Sequence, residues 1–304
     1  MKKIQFKKKA KYRAKSSKSL RKIKWSSGLF IAPSFLGVFI FFVFPFSKVI
    51  HYSLVDNPIS NQFVFLDNYI NVIHNGAFDK AVKNTISFSL MAVPLAVILS
   101  LLLAIALEAK LPFRSQFRTF FLSPMMVPVA SIVLIWQVLF HYNGAVNDIL
   151  VRFGGSKIDW MKSEYSLVVV VLLFLWKNLG YNMILFMAAL ASIPKDMLEV
   201  ARLESASPLQ IFFSIKIRYL SSTILFVTIM SLISSFKVFR EIYLLTGDYP
   251  YDSIYMLQHF MNNKFKSLDY QTLSAAAILM SIVMVIIIGI LFVAEDRFGK
   301  DVEG

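Results

Sequence analysis

Six long apolar stretches constrain the fold of this chain more than any other feature. Each has more than twenty residues, enough to cross the ~30 Å hydrocarbon core of a bilayer as a helix. The apolar residues are continuous rather than alternating, which argues against transmembrane strands. We therefore predict an all-α integral membrane protein with six transmembrane helices, at approximately residues 28–50, 84–107, 118–140, 166–191, 220–245 and 271–293.

The distribution of basic residues predicts the orientation of these spans. Residues 1–25 carry twelve Lys or Arg and no Asp or Glu. Further basic residues lie in the segments 108–118 and 192–219 and after the last span, whereas the three opposite loops carry only seven. Because cytoplasmic loops are enriched in Lys and Arg, we predict that both termini are cytoplasmic and that the chain is a multi-pass protein of the cell membrane.

Three regions follow from this arrangement. Residues 1–27 are predicted to form a basic cytoplasmic tail that lies beside anionic lipid, since the tail lacks the aromatic interleaving typical of nucleic-acid recognition. Residues 28–294 form the predicted transmembrane domain, and residues 295–304 form a cytoplasmic carboxyl-terminal tail.

The sequence contains no recognisable catalytic constellation. It has no cysteine, its four histidines have no metal-ligand spacing, and the GxxxxGK[ST], HExxH and GxSxG motifs are absent. We therefore predict no catalytic residue, no bound metal and no cofactor in this chain, which is expected to move or bind a solute rather than to hydrolyse ATP.

Polar residues inside the predicted spans mark a candidate solute path, because burying them in lipid is costly. The fourth and fifth spans contain two clusters, one with a lysine, amides and a tyrosine and the other with serines and charges. Lys237 and Glu241 are spaced i,i+4 and are expected to pair, leaving Arg240 as surplus positive charge. The candidate path residues are Lys177, Asn178, Tyr181, Asn182, Ser234, Ser235, Lys237, Arg240 and Glu241. Amides, hydroxyls and aromatic faces suit a polyhydroxylated solute.

A polar segment, Glu199 to Ala206, lies between two long apolar stretches and must sit outside lipid. Its composition favours a short helix, which would present a docking surface to a soluble partner. The surrounding sequence, residues 193–212, resembles the EAA loop of binding-protein-dependent ABC importers of the carbohydrate class, which includes maltose and glycerol-phosphate permeases. Residues 29–33, Asn68-Tyr69, Pro124 with Pro128, and residues 236–239 add to this resemblance in the family's order, over residues 28–294.

The resemblance implies a mechanism and a set of partners. A coupling loop at residues 193–218 would insert into clefts on two cytoplasmic ATPase subunits, which would hold ATP and Mg²⁺. A second permease chain would complete the path, and an extracytoplasmic solute-binding protein would deliver the carbohydrate. The coupling residues carried over are Glu199, Ala201, Glu204, Ser205, Ala206 and Phe212.

The loop departs from the family pattern at four positions. Val200 stands in place of Ala, Glu204 in place of Asp, Ser205 in place of Gly, and Arg218 in place of Pro. Ser205 is expected to reshape the turn, because glycine accepts backbone angles that serine avoids.

Two hypotheses about transport remain open at this point. The resemblance favours the permease subunit of an ATP-driven carbohydrate importer, and the surplus of positive charge around the path favours an acidic saccharide as its solute. The alternative is a self-sufficient secondary transporter driven by an ion gradient, although no buried Asp or internal repeat stands out in the sequence.

Overall fold

The computed structural model describes residues 30–108 and 113–299, which are almost entirely helical. In these two ranges β structure is limited to one isolated bridge, between Val55 and Phe63. The helices are α1 Phe30–Ser53, α2 Asp67–Ile73, α3 Gly76–Glu108, α4 Arg114–Met126, α5 Val129–Leu139, α6 Ala145–Arg152, α7 Ser166–Ala191, α8 Lys195–Leu203, α9 Pro208–Ile211 with its continuations Phe212–Lys216 and Ile217–Tyr219, α10 Ser221–Phe236, α11 Phe239–Thr246, α12 Leu257–Lys266 and α13 Tyr270–Gly299. An all-α architecture is confirmed.

Five helical segments of the described chain are long and apolar enough to cross a membrane. They are α1, α3, α7, α10 with α11, and most of α13. The bent pair α4–α5 brings the count to six if it forms one span. The protein is therefore a multi-pass membrane protein with five or six candidate spans.

The third predicted span, residues 118–140, is not one straight helix. The axes of α4 and α5 differ in direction by 102°. Val127 at the break has an extended backbone (φ −85°, ψ 132°), and Pro128 follows it. A proline disfavours the helical conformation of the residue before it and cannot donate a backbone hydrogen bond. These two effects explain the break.

Two other predicted boundaries shift outward because the helices continue beyond their apolar centres. Helix α3 begins at Gly76, before residue 84, and Pro94 lies inside it without ending it. Helix α13 continues to Gly299, so residues 295–299 of the predicted carboxyl-terminal tail are helical. The predicted basic tail at 1–27 and residues 300–304 lie outside the described residues.

The core forms where α3 packs along α7. Small residues on α3 such as Ala92 and Ala96 are fully buried, and the ring of Phe88 meets that of Phe174 edge to face at 5.5 Å. By contrast, α1 is exposed along almost its whole length, with Phe41 75% exposed. The interior is therefore built mainly from α3, α7 and α10, and these helices position the candidate site.

Candidate functional site

Seven of the nine predicted path residues line one cavity of about 270 Å³ between α7 and the α10–α11 region. Four further residues that the sequence analysis did not single out complete the lining: Met125, Leu173, Phe174 and Val238. The seven predicted residues are Lys177, Asn178, Tyr181, Ser234, Lys237, Arg240 and Glu241. Two stretches separated by more than fifty residues therefore meet at one site.

Helical spacing accounts for the α7 side of the cavity. Leu173, Phe174, Lys177, Asn178 and Tyr181 recur at intervals of three and four residues, which places them on one face of a helix. The Asn178 amide also donates to the Phe174 carbonyl oxygen at 2.7 Å, so its orientation is fixed by the helix itself.

The opposite wall lies at an interruption of the helix. Helix α10 ends at Phe236, α11 begins at Phe239, and Lys237 and Val238 form the turn between them. Both residues keep right-handed helical backbone angles, and α10 and α11 together make one candidate span. Lys237 and Glu241 therefore stay four residues apart along one helical segment, and the contacts of Glu241 decide its partner.

Glu241 pairs with Lys177 across the cavity, not with Lys237. Its Oε1 accepts a hydrogen bond from the Lys177 ammonium, and Arg240 Nη2 lies 4.0 Å from the same oxygen. Lys237 has no carboxylate within 4.0 Å among the residues described. The expected Lys237–Glu241 pair is therefore wrong. The cavity has three cations and, within the described chain, a single lining carboxylate.

Asn182 and Ser235, the other two predicted path residues, do not line this cavity. Both are buried between helices: the Asn182 amide donates to Ser231 Oγ at 2.9 Å, and Ser235 Oγ lies 2.9 Å from Ser89 Oγ. Ser231 and Ser235 are spaced i,i+4 on α10, so these bonds fasten α10 to α7 and α3. Buried polar side chains are normally paired in this way.

Gly180 sets the closest approach of α7 to its neighbour α4. A Cβ atom added there would lie 1.9 Å from the Phe121 carbonyl oxygen, which no side chain can accommodate. The glycine in the Lys-Asn-Leu-Gly-Tyr-Asn cluster is therefore a packing residue beside the cavity. Small residues are typical of such close helix contacts in membranes.

Helix α12 forms a rim beside the site, where it packs against α11 and buries His259. Its ring meets Phe239 of α11 edge to face at 4.6 Å, and its Nδ1 accepts a hydrogen bond from the Met256 amide at 3.2 Å. Its Nε2 is buried without a hydrogen-bond partner in the described part of the chain. Burial lowers the pKa of His259 to about 4, so the imidazole is neutral near pH 7.

An ion pair on the same rim joins α12 to the turn after α11. The Lys266 ammonium donates to Asp248 Oδ1 at 2.6 Å and to the Tyr243 hydroxyl at 3.0 Å. The hydrogen bond from Lys266 lowers the pKa of Asp248, and the same bond raises the pKa of Lys266. This pair stays charged over the neutral range.

The second candidate site is the loop around α8, which ends in a Schellman motif. The Ala206 amide donates to the Ala201 carbonyl and the Ser205 amide to the Arg202 carbonyl, both at 3.0 Å. Ser205 has a φ of +60°, in the left-handed region that favours glycine. The serine thus stands where the motif normally places glycine, as the departure from the family pattern suggested.

A capping box starts the next helix directly after this motif. Ser207 Oγ accepts from the Gln210 amide at 3.3 Å, and Gln210 Oε1 accepts from the Ser207 amide at 2.7 Å. Pro208 occupies the first turn, where its missing N–H is not needed. In the sequence this cap shows only as a Ser-Pro-x-Gln pattern, which is a known helix-start signal.

This loop presents an exposed surface of mixed character. Glu199, Glu204 and Ser205 are exposed, whereas Ala201, Ala206 and Phe212 are half-buried. Three exposed apolar side chains of α8, spaced three residues apart, lie alongside: Met197, Val200 and Leu203, the last 84% exposed. On the side facing the spans, Leu198 packs against the buried core. One face of α8 is thus anchored, and another has no partner among the residues that the structure describes.

No metal site emerges in the described ranges 30–108 and 113–299, since no three His, Asp or Glu side chains lie close enough to hold an ion. The arrangement offers hydrogen bonds, aromatic surface and positive charge. This chemistry suits the binding and passage of a polar solute.

Comparisons with known proteins find relatives that match most of the chain. The chain is 28% identical over 292 residues to the sn-glycerol-3-phosphate transport system permease protein UgpA of Escherichia coli O6:K15:H31, covering 93% of this chain and 97% of that protein. The Salmonella typhimurium protein of the same name is 29% identical with the same coverage.

Solved structures share the fold. A chain of a bacterial ABC transporter involved in the import of the acidic polysaccharide alginate aligns with a TM-score of 0.79 at 18% identity, covering 91% of this chain and 96% of that one. A chain of the bacterial alginate ABC transporter in complex with an alginate pentasaccharide-bound periplasmic protein gives a TM-score of 0.80 at 19% identity, covering 92% and 96%. Residues 69–302 match the family described as binding-protein-dependent transport system inner membrane component. This chain therefore belongs to that family of membrane components of binding-protein-dependent transport systems.

Proposed function

We propose that this chain is a permease subunit of an ATP-driven importer for a carbohydrate, and that the solute is an acidic saccharide. The observation that carries the proposal is the single cavity lined by Lys177, Lys237 and Arg240 with only Glu241 opposing them among the described lining residues. Tyr181, Asn178 and Ser234 add an aromatic face, an amide and a hydroxyl. A carboxylated sugar presents both chemistries, since it has hydroxyls that need hydrogen bonds and a charge that needs a cation.

The similar proteins support an anionic solute. Both solved structures named above are of alginate transporters, and alginate is described as an acidic polysaccharide. The curated permeases belong to sn-glycerol-3-phosphate transport systems. A phosphorylated polyol is therefore a second candidate solute, because its phosphate would engage the same cations. A self-sufficient ion-gradient transporter is not favoured, since the family works with a binding protein.

The α8 loop is the proposed contact with two cytoplasmic ATPase subunits, which would hold ATP and Mg²⁺. Glu199 is exposed and has no basic partner within 4.0 Å in the described chain, so it is available to a basic residue of the ATPase. The exposed Met197, Val200 and Leu203 would give the contact its apolar area. The remaining coupling residues, Ala201, Glu204, Ser205, Ala206 and Phe212, would shape this surface.

The proposed topology places six spans in the membrane, with α4–α5 as one broken span and both termini in the cytoplasm. The basic residues near α8 and α9 support this orientation by the positive-inside rule. A second, homologous permease chain would close the path opposite the cavity, and an extracytoplasmic binding protein would deliver the solute to the outer rim. The exposed length of α1 supports contacts with lipid and with that second chain.

Uptake into proteoliposomes that contain both permeases and both ATPase subunits tests the proposal. With the binding protein and ATP present, an acidic oligosaccharide should accumulate, whereas a neutral one of equal length should not. Glycerol 3-phosphate as a third substrate separates the two anionic candidates. Equal uptake of acidic and neutral sugars would contradict the proposed solute class, and uptake that persists without ATP would contradict the importer.

A further inference from the structure

Glu241 is arranged unusually for a carboxylate in a solute path. It is 3% exposed, its Oε1 accepts from Lys177, and its buried Oε2 has no donor in the described part of the chain. A buried carboxylate with one unpaired oxygen is costly. A carboxylate placed only to hold two helices together would be expected to have both oxygens satisfied.

A second cation lies beside the same carboxylate. Arg240 Nη2 is 4.0 Å from Glu241 Oε1, and the Arg240 side chain is exposed. Lys177 belongs to α7, whereas Arg240 is the neighbour of Glu241 in α11. A small rotation of the Glu241 side chain would therefore transfer its charge from the cation on α7 to the cation on its own helix.

We propose that the Glu241 carboxylate occupies, in the empty path, the position beside Lys177 that the solute's carboxylate takes when it binds. In the absence of solute it neutralises Lys177 and ties α7 to α11. When an acidic saccharide enters, the solute's carboxylate accepts the hydrogen bond of the Lys177 ammonium, and Glu241 moves onto the Arg240 guanidinium. No covalent bond changes, and Lys177, Glu241 and Arg240 each keep an oppositely charged neighbour. This exchange rests on the proposed function, because it requires an anionic solute.

The exchange explains how the cavity would select its solute. A neutral sugar has no carboxylate that could replace Glu241 at Lys177, so the ion pair that joins α7 to α11 stays intact. An acidic sugar breaks this ion pair as it binds. Displacement by a matching charge thus makes the separation of these helices depend on the solute's charge.

Equilibrium binding to the purified assembly tests the exchange. The assembly of both permeases and both ATPase subunits is reconstituted in phosphatidylcholine nanodiscs, and labelled alginate pentasaccharide and maltopentaose serve as the acidic and neutral probes. Glu241→Gln should tighten alginate binding about tenfold, the order expected when one competing hydrogen bond to a charged group is removed. In a Lys177→Gln background the same substitution should have almost no effect, because no competition for Lys177 remains.

A general electrostatic effect gives a different result. If Glu241 merely lowers the positive potential of the cavity, Glu241→Gln tightens binding by the same factor with and without Lys177. That outcome would overturn the exchange. Lys237→Gln is the matched control, since Lys237 lines the same cavity without contacting Glu241, and the Glu241→Gln factor should survive in it.

The Glu241→Asp variant tests the exchange even if the assembly with Lys177→Gln does not form. The aspartate keeps the negative charge but withdraws its oxygens from Lys177 by one methylene. The exchange predicts tighter alginate binding in this variant, and unchanged or weaker binding overturns it. In the wild-type assembly, equal affinity for the two probes overturns the proposed acidic solute and the exchange together. Preference for alginate without the Glu241 effects overturns the exchange alone.

Discussion

The α8 loop and the cavity differ in how the chain builds them. The loop is a local structure: the Schellman motif at Ser205 and the capping box at Ser207 use hydrogen bonds between residues at most five positions apart. The cavity is a long-range structure, in which Lys177 pairs with Glu241, sixty-four residues away in the sequence. Local signals in the sequence can therefore report the loop, whereas the cavity exists only once α7 has packed against α11.

This difference predicts different sensitivities. Substitutions that disturb helix packing should abolish the cavity and leave the loop's own hydrogen bonds intact. Substitutions on the loop surface should uncouple a path that still folds and binds.

The largest effect is expected for Gly180→Val. The added side chain would collide with the Phe121 backbone, so α7 and α4 must separate, at a cost on the order of 3 kcal/mol. We expect little folded assembly, measured as the yield of the monodisperse peak after detergent extraction. Gly289→Val is the matched control, because nothing lies within 4 Å of the Cβ position in α13. Wild-type yield for Gly180→Val would show that the α4–α7 contact is not as close as described.

Glu199→Lys should act on coupling instead of folding. If Glu199 faces a basic residue of the ATPase, the reversed charge leaves two cations facing each other, and ATP-driven uptake should fall about a hundredfold. Solute binding by any assembly that forms should stay near wild type. Asp148→Lys, an equal charge change on an exposed residue of α6, is the control and should transport normally. Normal uptake by Glu199→Lys would remove this residue from the coupling contact.

The sequence predicted the helical class and seven of the residues that line the cavity, because apolar length and intramembrane polarity are local properties. Pro128 alone could not set the size of the 102° break at Val127, since Pro94 lies inside the unbroken α3. The i,i+4 spacing in the sequence paired Glu241 with Lys237, whereas the partner in the structure is Lys177, which lies on another helix and comes near only through packing. Asn182 and Ser235 looked like path residues because buried interhelical hydrogen bonds require the same residue types.

The rim formed by α12 should weaken in acid because of His259. Its pKa in the folded protein is about 4, below the ordinary value of 6.5. As the pH falls below 6.5, the imidazole of His259 binds a proton in the unfolded segment but stays neutral in the folded one. Stability is therefore full above pH 6.5 and is lost toward pH 4, by about 2 kcal/mol at pH 5. Hydrogen exchange of residues 252–266, corrected for intrinsic rates, should report this loss.

Two variants isolate the contribution of His259. His259→Asn cannot titrate and should show no such loss between pH 6.5 and pH 5. His74→Asn removes an exposed histidine and should leave the loss unchanged. Asp248 is not the source, because its pKa is lowered by Lys266 and it stays ionised across this range. An equal acid loss in His259→Asn and the wild type would contradict the assignment.

The smallest effect is expected at Ser205, where the loop departs from glycine. A serine with φ +60° carries strain that glycine does not, so Ser205→Gly should stabilise the loop by up to about 1 kcal/mol. Slower hydrogen exchange of the Ser205 and Ala206 amides would measure the gain, and Ser205→Ala, which keeps the Cβ, should show none. Because the hydrogen bonds of this turn are all local, the cavity's affinity for solute should not change in either variant. A change in affinity would mean that the loop and the cavity are not as independent as their construction indicates.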